Sequence, residues 1–326
     1  MTNGSIEEKK QTERISYRQA YDLVKEEVDR TLSTSPFLIR EYMKHLSLST
    51  GKQIRAVSVL VCALDQDDLI HRDAIKLAAA VELMHLATLV HDDVIDNAEL
   101  RRGETSLQKK YGKRTAVICG DYLLCIALKT ASQVEDKEEY VKRRIPDYMS
   151  KVCLGELNQH INNGNFDLSV YRYLKIIAGK TAALFEASFY GGAVLSVKEE
   201  AKVKQYAKLG KYIGMIFQLT DDCMDFETTE QVAKKPVKSD YEQSVITLPL
   251  IHAFRERADF KKQAKAGRVS REDIDMVVEK TGGLVYTRFV AKKYYNKSLR
   301  IIDEMELSQE KKEKLLSILN KAYRTF

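Results

Sequence analysis

Residues 74–96 read A-I-K-L-A-A-A-V-E-L-M-H-L-A-T-L-V-H-D-D-V-I-D, an apolar run that ends in a cluster of carboxylates. Up to Val90 the run is apolar nearly all round at helical spacing, so it predicts a helix buried in a core rather than one lying on a surface. The chain uses this design twice. Tyr206 to Leu219 is a second such stretch, and it runs into T-D-D-C-M-D at 220–225. Two central helices, each ending in acid, predict an all-α protein with its polar chemistry at helix ends.

The flanking sequence agrees. Tyr17, Tyr21, Val24 and Val28 recur at helical spacing, Pro36 opens a second helix toward His45, and a third is predicted from Ile54 to Leu64. Helical periodicity continues near 115–131, 136–162, 169–195, 247–262, 271–280, 285–305 and 308–324, with loops expected at 97–113, 163–168 and 227–246. Only 15 Gly and 4 Pro among 326 residues leave too few turn formers for a sandwich or barrel of short strands. With no fixed-period repeat, linker or shift of composition, one domain over 1–326 is expected, after a polar lead-in at 1–14.

Charge and cysteines narrow the class further. Fifty-three Lys+Arg against 47 Asp+Glu give a net charge of +6 that is spread along the chain, and no nucleic-acid partner is expected. Cys62, Cys119, Cys125, Cys153 and Cys223 form no C-x-x-C pair and are expected to be reduced core residues. The N-terminus lacks the apolar h-region of a signal peptide, and no run of 18 uncharged apolar residues occurs, so a cytoplasmic location is expected.

In Asp92-Asp93-Val94-Ile95-Asp96, Asp92 and Asp96 stand at i and i+4 on one helix face, with Asp93 one step round. Asp221-Asp222-Cys223-Met224-Asp225 repeats the spacing. Random placement gives one D-D-x-x-D about 0.08 times per chain and two about 0.003 times, so the pair is a signal where a single match is a solvated helix end. Carboxylates crowded at the ends of buried helices call for a cation. Asp92, Asp93, Asp96, Asp221, Asp222 and Asp225 make a set of oxygen donors suited to a hard divalent ion, Mg²⁺ before Mn²⁺, completed by the phosphates of a substrate. Basic residues in Gly-, Pro- or Thr-containing breaks point the same way: Lys52 and Arg55 in T-G-K-Q-I-R, Arg101 and Arg102, Lys180 in A-G-K-T, and Lys235 in K-K-P-V-K. Taken singly, each is more often a surface charge.

The pattern G-K-x-x-R at 51–55, L-V-H-D-D-V-I-D-N-A-E-L-R-R-G at 89–103, G-D-Y-L-L at 120–124, G-K-T-A at 179–182, Q-L-T-D-D-C-M-D-F at 218–226, K-P-V-K-S-D and T-L-P-L-I at 247–251 resembles the trans-isoprenyl diphosphate synthases. The likeness covers almost the whole chain after the first 15 or so residues and is greatest to the long-chain bacterial type, the catalytic subunit of heptaprenyl diphosphate synthase. It implies the isoprenoid synthase fold, a large helical bundle around a central cavity. It further implies that Asp92, Asp93, Asp96, Asp221, Asp222 and Asp225 bind about three Mg²⁺ ions with substrate present. By the same resemblance the allylic diphosphate is held by Arg101, Lys180, Thr181, Gln218 and Lys235, with Lys180 also catalytic, and isopentenyl diphosphate lies in a metal-free basic pocket of Lys52, Arg55, His85 and Arg102. His85 stands two helical turns before Asp92 on the same face. His91 matches no substrate role and is expected to be structural.

Chain length is expected to depend on Ala87, Thr88 and Met84, on the turns just ahead of the first motif, where the family's growing product enters an apolar tunnel. Large aromatics would block elongation there. Small Ala87 and Thr88 and flexible Met84 favour a product of roughly six to ten isoprene units, with heptaprenyl diphosphate for a quinone such as menaquinone the single expectation. The alternatives are a shorter-chain farnesyl or geranylgeranyl synthase, or a catalytic subunit inactive without its partner. The resemblance implies a homodimer through helices near 115–131, or a heteromer with a small regulatory subunit, and transient membrane contact as product leaves. Thr50, Ala56 and Lys234 replace the family's usual Gly, Pro and Gly; these changes alter loop freedom and remove no ionisable group. A terpene cyclase would carry N-D-x-x-S-x-x-x-E in place of 221–225, a head-to-head synthase would lack Lys52 and Arg55, and a non-catalytic subunit would have lost the aspartates.

Overall fold

The computed structural model describes residues 14–47, 51, 53–134, 147–227 and 244–324. It divides into two compact units, one of Met1–Pro146, Ala187–Lys208 and Glu304–Ile318, the other of Asp147–Glu186, Leu209–Asp303 and Leu319–Phe326. Helices make up most of the described residues, and the two sheets among them have two short strands each.

In the first unit, β1 (Arg14–Ser16) pairs antiparallel with β2 (Leu69–His71), placing Ile15 opposite Ile70. Ser16 then caps α1 (Tyr17–Ser33) in a reciprocal capping box with Gln19, which satisfies two helix-end donors at once. The α1 stripe Ala20, Val24, Val28 and Leu32 is buried, at the spacing an amphipathic helix requires. Phe37–Ser47 forms α2 and Ile54–Ala63 forms α3. Beyond the end of α3 the buried amine of Lys311 donates to the carbonyl oxygens of Cys62 at 2.9 Å and Leu64 at 2.6 Å. Burial pulls the Lys311 ammonium down to about 8.

The helix predicted from residues 74–90 is α4 (Asp73–Ile95), and the first aspartate motif occupies its last turn. By length and composition α4 could cross a membrane, the one described helix both long and apolar enough to do so, yet half of its most apolar stretch is already buried inside the protein. Its partner is α6 (Lys113–Ala131). Ala79, Leu83, Ala87 and Val90 of α4 join Ala116, Cys119, Leu123 and Ala127 of α6 in one core, closed by Val28, Leu32, Met43 and Leu46. The four alanines let the helices approach closely, and each fully buried leucine contributes about 2 kcal/mol.

The loop expected at 97–113 is structured. It holds a hairpin of β3 (Leu100–Arg101) and β4 (Glu104–Thr105), then the short helix α5 (Leu107–Tyr111). Arg102 at φ +56° and Gly103 at φ +86° form the two-residue turn, as a type I′ hairpin requires. R-R-G is therefore a turn signal as well as a charge signal.

The second unit contains α7 (Tyr148–Ile161), α8 (Val170–Ile177), a π-turn at Ala178–Ala182, and parts of α9 (Ala183–Ser196) and α10 (Glu200–Glu227). The helix expected over 247–262 breaks at Arg257, in extended backbone, into α11 (Leu248–Glu256) and α12 (Ala258–Lys265). After α13 (Arg271–Lys280) the chain forms α14 (Gly283–Glu304) and α15 (Gln309–Tyr323), which ends in this unit. Ile176, Leu219, Leu248, Leu250, Phe254 and Ile274 anchor its core.

The cysteines correct one expectation. All five are free thiols, and Cys62, Cys119 and Cys223 are buried, but Cys125 and Cys153 are exposed because they lie on outward faces of α6 and α7. Residues 136–146 of the helix expected over 136–162, and most of the expected loop 227–246, lie outside the described residues.

Candidate functional site

The first motif ends α4. Asp92 is half-buried, Asp96 is the exposed C-cap residue, and Asp93 is buried. The hairpin brings Arg101 back onto Asp93, with Nε donating to Oδ1 at 2.8 Å and Nη2 donating to the same oxygen. Burial raises the Asp93 carboxyl and Arg101 opposes the rise, so the arginine expected to grip a diphosphate is here the counter-ion of the motif. His91, expected to be structural, lies with Nε2 3.3 Å from the Val117 carbonyl and 3.4 Å from Asp121.

Two turns earlier on α4, His85 lines a recess with Gly51, Gln53, Glu82 and Arg102. Arg55, in the first turn of α3, is buried and its Nη1 is 3.0 Å from His85 Nε2. A guanidinium only donates, so the imidazole accepts and is neutral. Burial and then Arg55, Arg102 and Arg101 hold His85 well below the usual histidine range. The Arg102 guanidinium lies flat against Gly51, where a Cβ would come within 2.5 Å of it. A larger residue at 51 would push the Arg102 side chain aside. Three of the four residues assigned to isopentenyl diphosphate thus lie together, and Lys52 falls outside the described residues.

The second motif lies in the last turns of α10. Asp222 is wholly buried; Gln218 Nε2 donates to its Oδ1 at 2.8 Å, and Tyr173 of α8 donates through its hydroxyl to Oδ2. Thr181 Oγ1 donates in turn to Gln218 Oε1 at 2.6 Å. Thr181, Gln218 and Asp222, all picked from the sequence, therefore form one chain of hydrogen bonds. Burial pushes the Asp222 carboxyl up to about 7; Asp221 and Asp225 push the same way, against the two hydrogen bonds. Asp221 lies 3.5 Å from Arg324, and Asp225 lies 3.6 Å from Arg271.

The π-turn presents Lys180 and Thr181, at the kind of helix irregularity that recurs at functional sites. It can do so because Gly155 and Gly179 let the two backbones touch: a Cβ on Gly155 would come within 2.1 Å of the Lys180 nitrogen. Lys180 Nζ is 2.9 Å from Glu156 on α7. Lys235 is outside the described residues. Of the residues tied to product length, Ala87 is fully buried in the α4–α6 core, Met84 packs against that core, and Thr88 donates to the His85 carbonyl at 2.8 Å.

The donor chemistry fits a hard divalent cation. All the motif side chains are carboxylates, and the elevation of Asp222 is strain that a positive ion would relieve. Among the described residues no three acidic, histidine or cysteine side chains yet converge into a metal cage; Asp93, Asp221, Asp222 and Asp225 lie against protein donors instead. Sequence reasoning missed Glu82, Glu156, Tyr173, Arg271 and Arg324. Only Glu82 left a signal: it is the one acid inside the apolar run 74–90.

Residues 36–281 match the family described as Polyprenyl synthetase. The chain belongs to that family. It is a trans-prenyl chain-elongating prenyltransferase. The synthase is 33% identical over 290 residues to heptaprenyl diphosphate synthase component 2 of Bacillus subtilis (strain 168), covering 87% of this chain and 82% of that protein. Its structure is similar to the crystal structure of heptaprenyl diphosphate synthase from Staphylococcus aureus, with a TM-score of 0.87, 31% identity, and 95% and 99% of the two chains covered. A polyprenyl synthase from Caulobacter crescentus CB15, crystallised with calcium and isoprenyl diphosphate, aligns with a TM-score of 0.81, 26% identity and 94% of each chain covered. The synthase therefore has the all-α isoprenoid synthase fold.

Proposed function

We propose that the protein is a long-chain all-trans polyprenyl diphosphate synthase that adds isopentenyl diphosphate head-to-tail to a farnesyl or geranylgeranyl primer, with heptaprenyl diphosphate as its product. The observation that carries this reading is on one helix: α4 bears His85, bonded to Arg55 in a basic recess, and seven residues later, roughly 10 Å along the axis, the first aspartate motif. A site for one diphosphate and donors for another are thus fixed to the same rigid rod.

In the reaction the C–O bond of the allylic diphosphate breaks and leaves an allylic cation and pyrophosphate. The double bond of isopentenyl diphosphate attacks C1 of that cation, forming the new C–C bond, and the proton then lost passes to the released pyrophosphate. Arg101, Lys180 and Lys235 stabilise the charge growing on the leaving diphosphate, whose oxygens would replace the Asp93 and Glu156 carboxylates now facing Arg101 and Lys180. Thr181 and Gln218 orient the allylic substrate, while Lys52, Arg55, His85 and Arg102 hold isopentenyl diphosphate. Mg²⁺ held by Asp92, Asp93, Asp96, Asp221, Asp222 and Asp225 would supply Lewis-acid neutralisation of the diphosphate.

The names of the B. subtilis and S. aureus relatives support the heptaprenyl length, and Ala87 is small where an aromatic would block elongation. Replacing Ala87 by Phe is expected to shorten the products, at a packing cost of about 2 kcal/mol because the site is fully buried. An unchanged product distribution would show that this face does not set length. "Component 2" in the relative's name supports a heteromer with a small regulatory partner. The exposed Val117, Ile118 and Leu128 on α6 support self-association through that helix. The protein would act in the cytoplasm, touching the membrane to deliver a lipid-soluble product to quinone synthesis.

The experiment is incubation of the purified chain with Mg²⁺, farnesyl diphosphate and labelled isopentenyl diphosphate, followed by chain-length analysis. A heptaprenyl product establishes an autonomous long-chain synthase. Absence of product from a chain that still binds farnesyl diphosphate with Mg²⁺ assigns it as the catalytic half of a heteromer.

A further inference from the structure

Glu82 is a carboxylate inside a pocket that is otherwise built to attract anions. It lies one turn before His85 on α4 and lines the same recess as Gly51, Gln53, His85 and Arg102. Burial raises its carboxyl; the charges of Arg55 in α3 and Arg102 in the β3–β4 turn oppose the rise, as does a hydrogen bond donated by the backbone N–H of Ala56 in α3. Its Oε2 is buried and accepts no hydrogen bond.

A negative charge beside a diphosphate site looks counterproductive until the empty pocket is considered. Arg55 is buried, and Arg102 and burial both work against its charge; burial and then Arg101 do the same to Arg102. The third basic group, His85, is neutral and adds no charge. Two like charges facing one recess repel one another, and a carboxylate in the same recess offsets that repulsion. Arg102 depends on this most, because it projects from a two-residue turn rather than from a helix.

We infer that Glu82 is the positioning residue of the isopentenyl diphosphate pocket: its carboxylate holds the Arg55 and Arg102 guanidiniums in their binding geometry before substrate arrives. The inference rests on the assignment of this recess to isopentenyl diphosphate. Because Ala56 ties the carboxylate to the first turn of α3, Glu82 also fixes α3 to α4 at the level of the pocket. Substrate then meets donors whose ordering is already complete, which lowers the cost of binding.

The test is calorimetric titration of isopentenyl diphosphate into the purified chain without divalent metal, where no turnover occurs. E82Q keeps the shape and removes the charge; it is expected to weaken binding about tenfold, the scale of one lost charge–charge interaction in a partly buried site. E82D keeps the charge on a shorter stem and is expected to recover part of the loss. If Glu82 acts through Arg102, then E82Q adds less than about twofold in an R102M background, since coupled residues are non-additive. Farnesyl diphosphate affinity with Mg²⁺ present is expected to stay within about twofold in E82Q, which a general folding defect would not spare.

Unchanged binding in a folded E82Q overturns the inference. So does tighter binding, the result if the carboxylate merely opposes the anion. Should E82Q fail to fold, E82D decides: binding equal to wild type despite the retracted carboxylate overturns positioning. R102M separates this inference from the reading beneath it, because wild-type isopentenyl diphosphate affinity in R102M would mean that the recess belongs to something else.

Discussion

The two aspartate motifs share a spacing and little else. The first closes α4, with Asp96 exposed as the C-cap and Asp93 neutralised by Arg101, a full cation only eight residues away in sequence. The second is embedded in α10, and its central Asp222 is held by neutral donors, Gln218 on its own helix and Tyr173 from α8. The second aspartate of each motif, Asp93 in one and Asp222 in the other, is thus stabilised by a cation in one place and by dipoles in the other. Asp222 is the more deeply buried of the two, and burial lifts it to about 7 against the hydrogen bonds from Tyr173 and Gln218.

The largest test asks whether the motifs are equivalent in function despite this difference. Asp92→Ala and Asp221→Ala are each expected to lower turnover on the order of 10³-fold with the circular dichroism of the fold unchanged. Wild-type rates from either folded variant would remove that motif from the site.

The next tests set the environments against one another. Arg101→Ala leaves Asp93 buried without its cation and is expected to cost about 3 kcal/mol in urea unfolding of the metal-free chain. Asp222→Asn is expected to do the opposite to stability while abolishing turnover. A carboxyl raised in the fold contributes stability in full below its unfolded value, about 4, and loses it as pH rises through about 7. The asparagine does not ionise, so its advantage over wild type opens between those values and reaches about 2 kcal/mol at pH 8 after discounting for local relaxation. Melting curves at pH 4 and pH 8 measure this, and added Mg²⁺ is expected to narrow the gap by stabilising only the carboxylate form. A constant difference at both pH values would mean that Asp222 does not titrate in this range.

Tyr173→Phe gives the smallest effect. It removes one donor and no packing, and about 1 kcal/mol is expected in the same urea assay. A larger loss than that of Arg101→Ala would invert the comparison, making the dipole-held motif the more dependent on its partner.

Much of this site was legible in the sequence because its signals are local. An i, i+4 pair of aspartates, a histidine two turns before them, and R-R-G after them lie within 20 residues of one another, where helix geometry converts spacing into position. The helices themselves were legible from periodicity, with boundary errors where a local break interrupts it, as at Arg257. The hairpin at 100–105 escaped because two-residue strands leave no alternation to detect. The π-turn escaped because A-G-K-T-A is compatible with an ordinary helix, and only the contact between Gly155 and Gly179 reveals the need for it.

The sequence by itself determined which chemical groups this protein possesses and the helices that carry them, since composition, periodicity and motif spacing depend on neighbours along the chain. Tertiary structure alone decided how those groups are paired. Glu82 in one recess with Arg102, Glu156 against Lys180, and Tyr173 on Asp222 bring together residues 20 to 49 positions apart on different elements. No local rule ties such residues together; their meeting depends on helix packing, and burial by that packing is what raises Asp222.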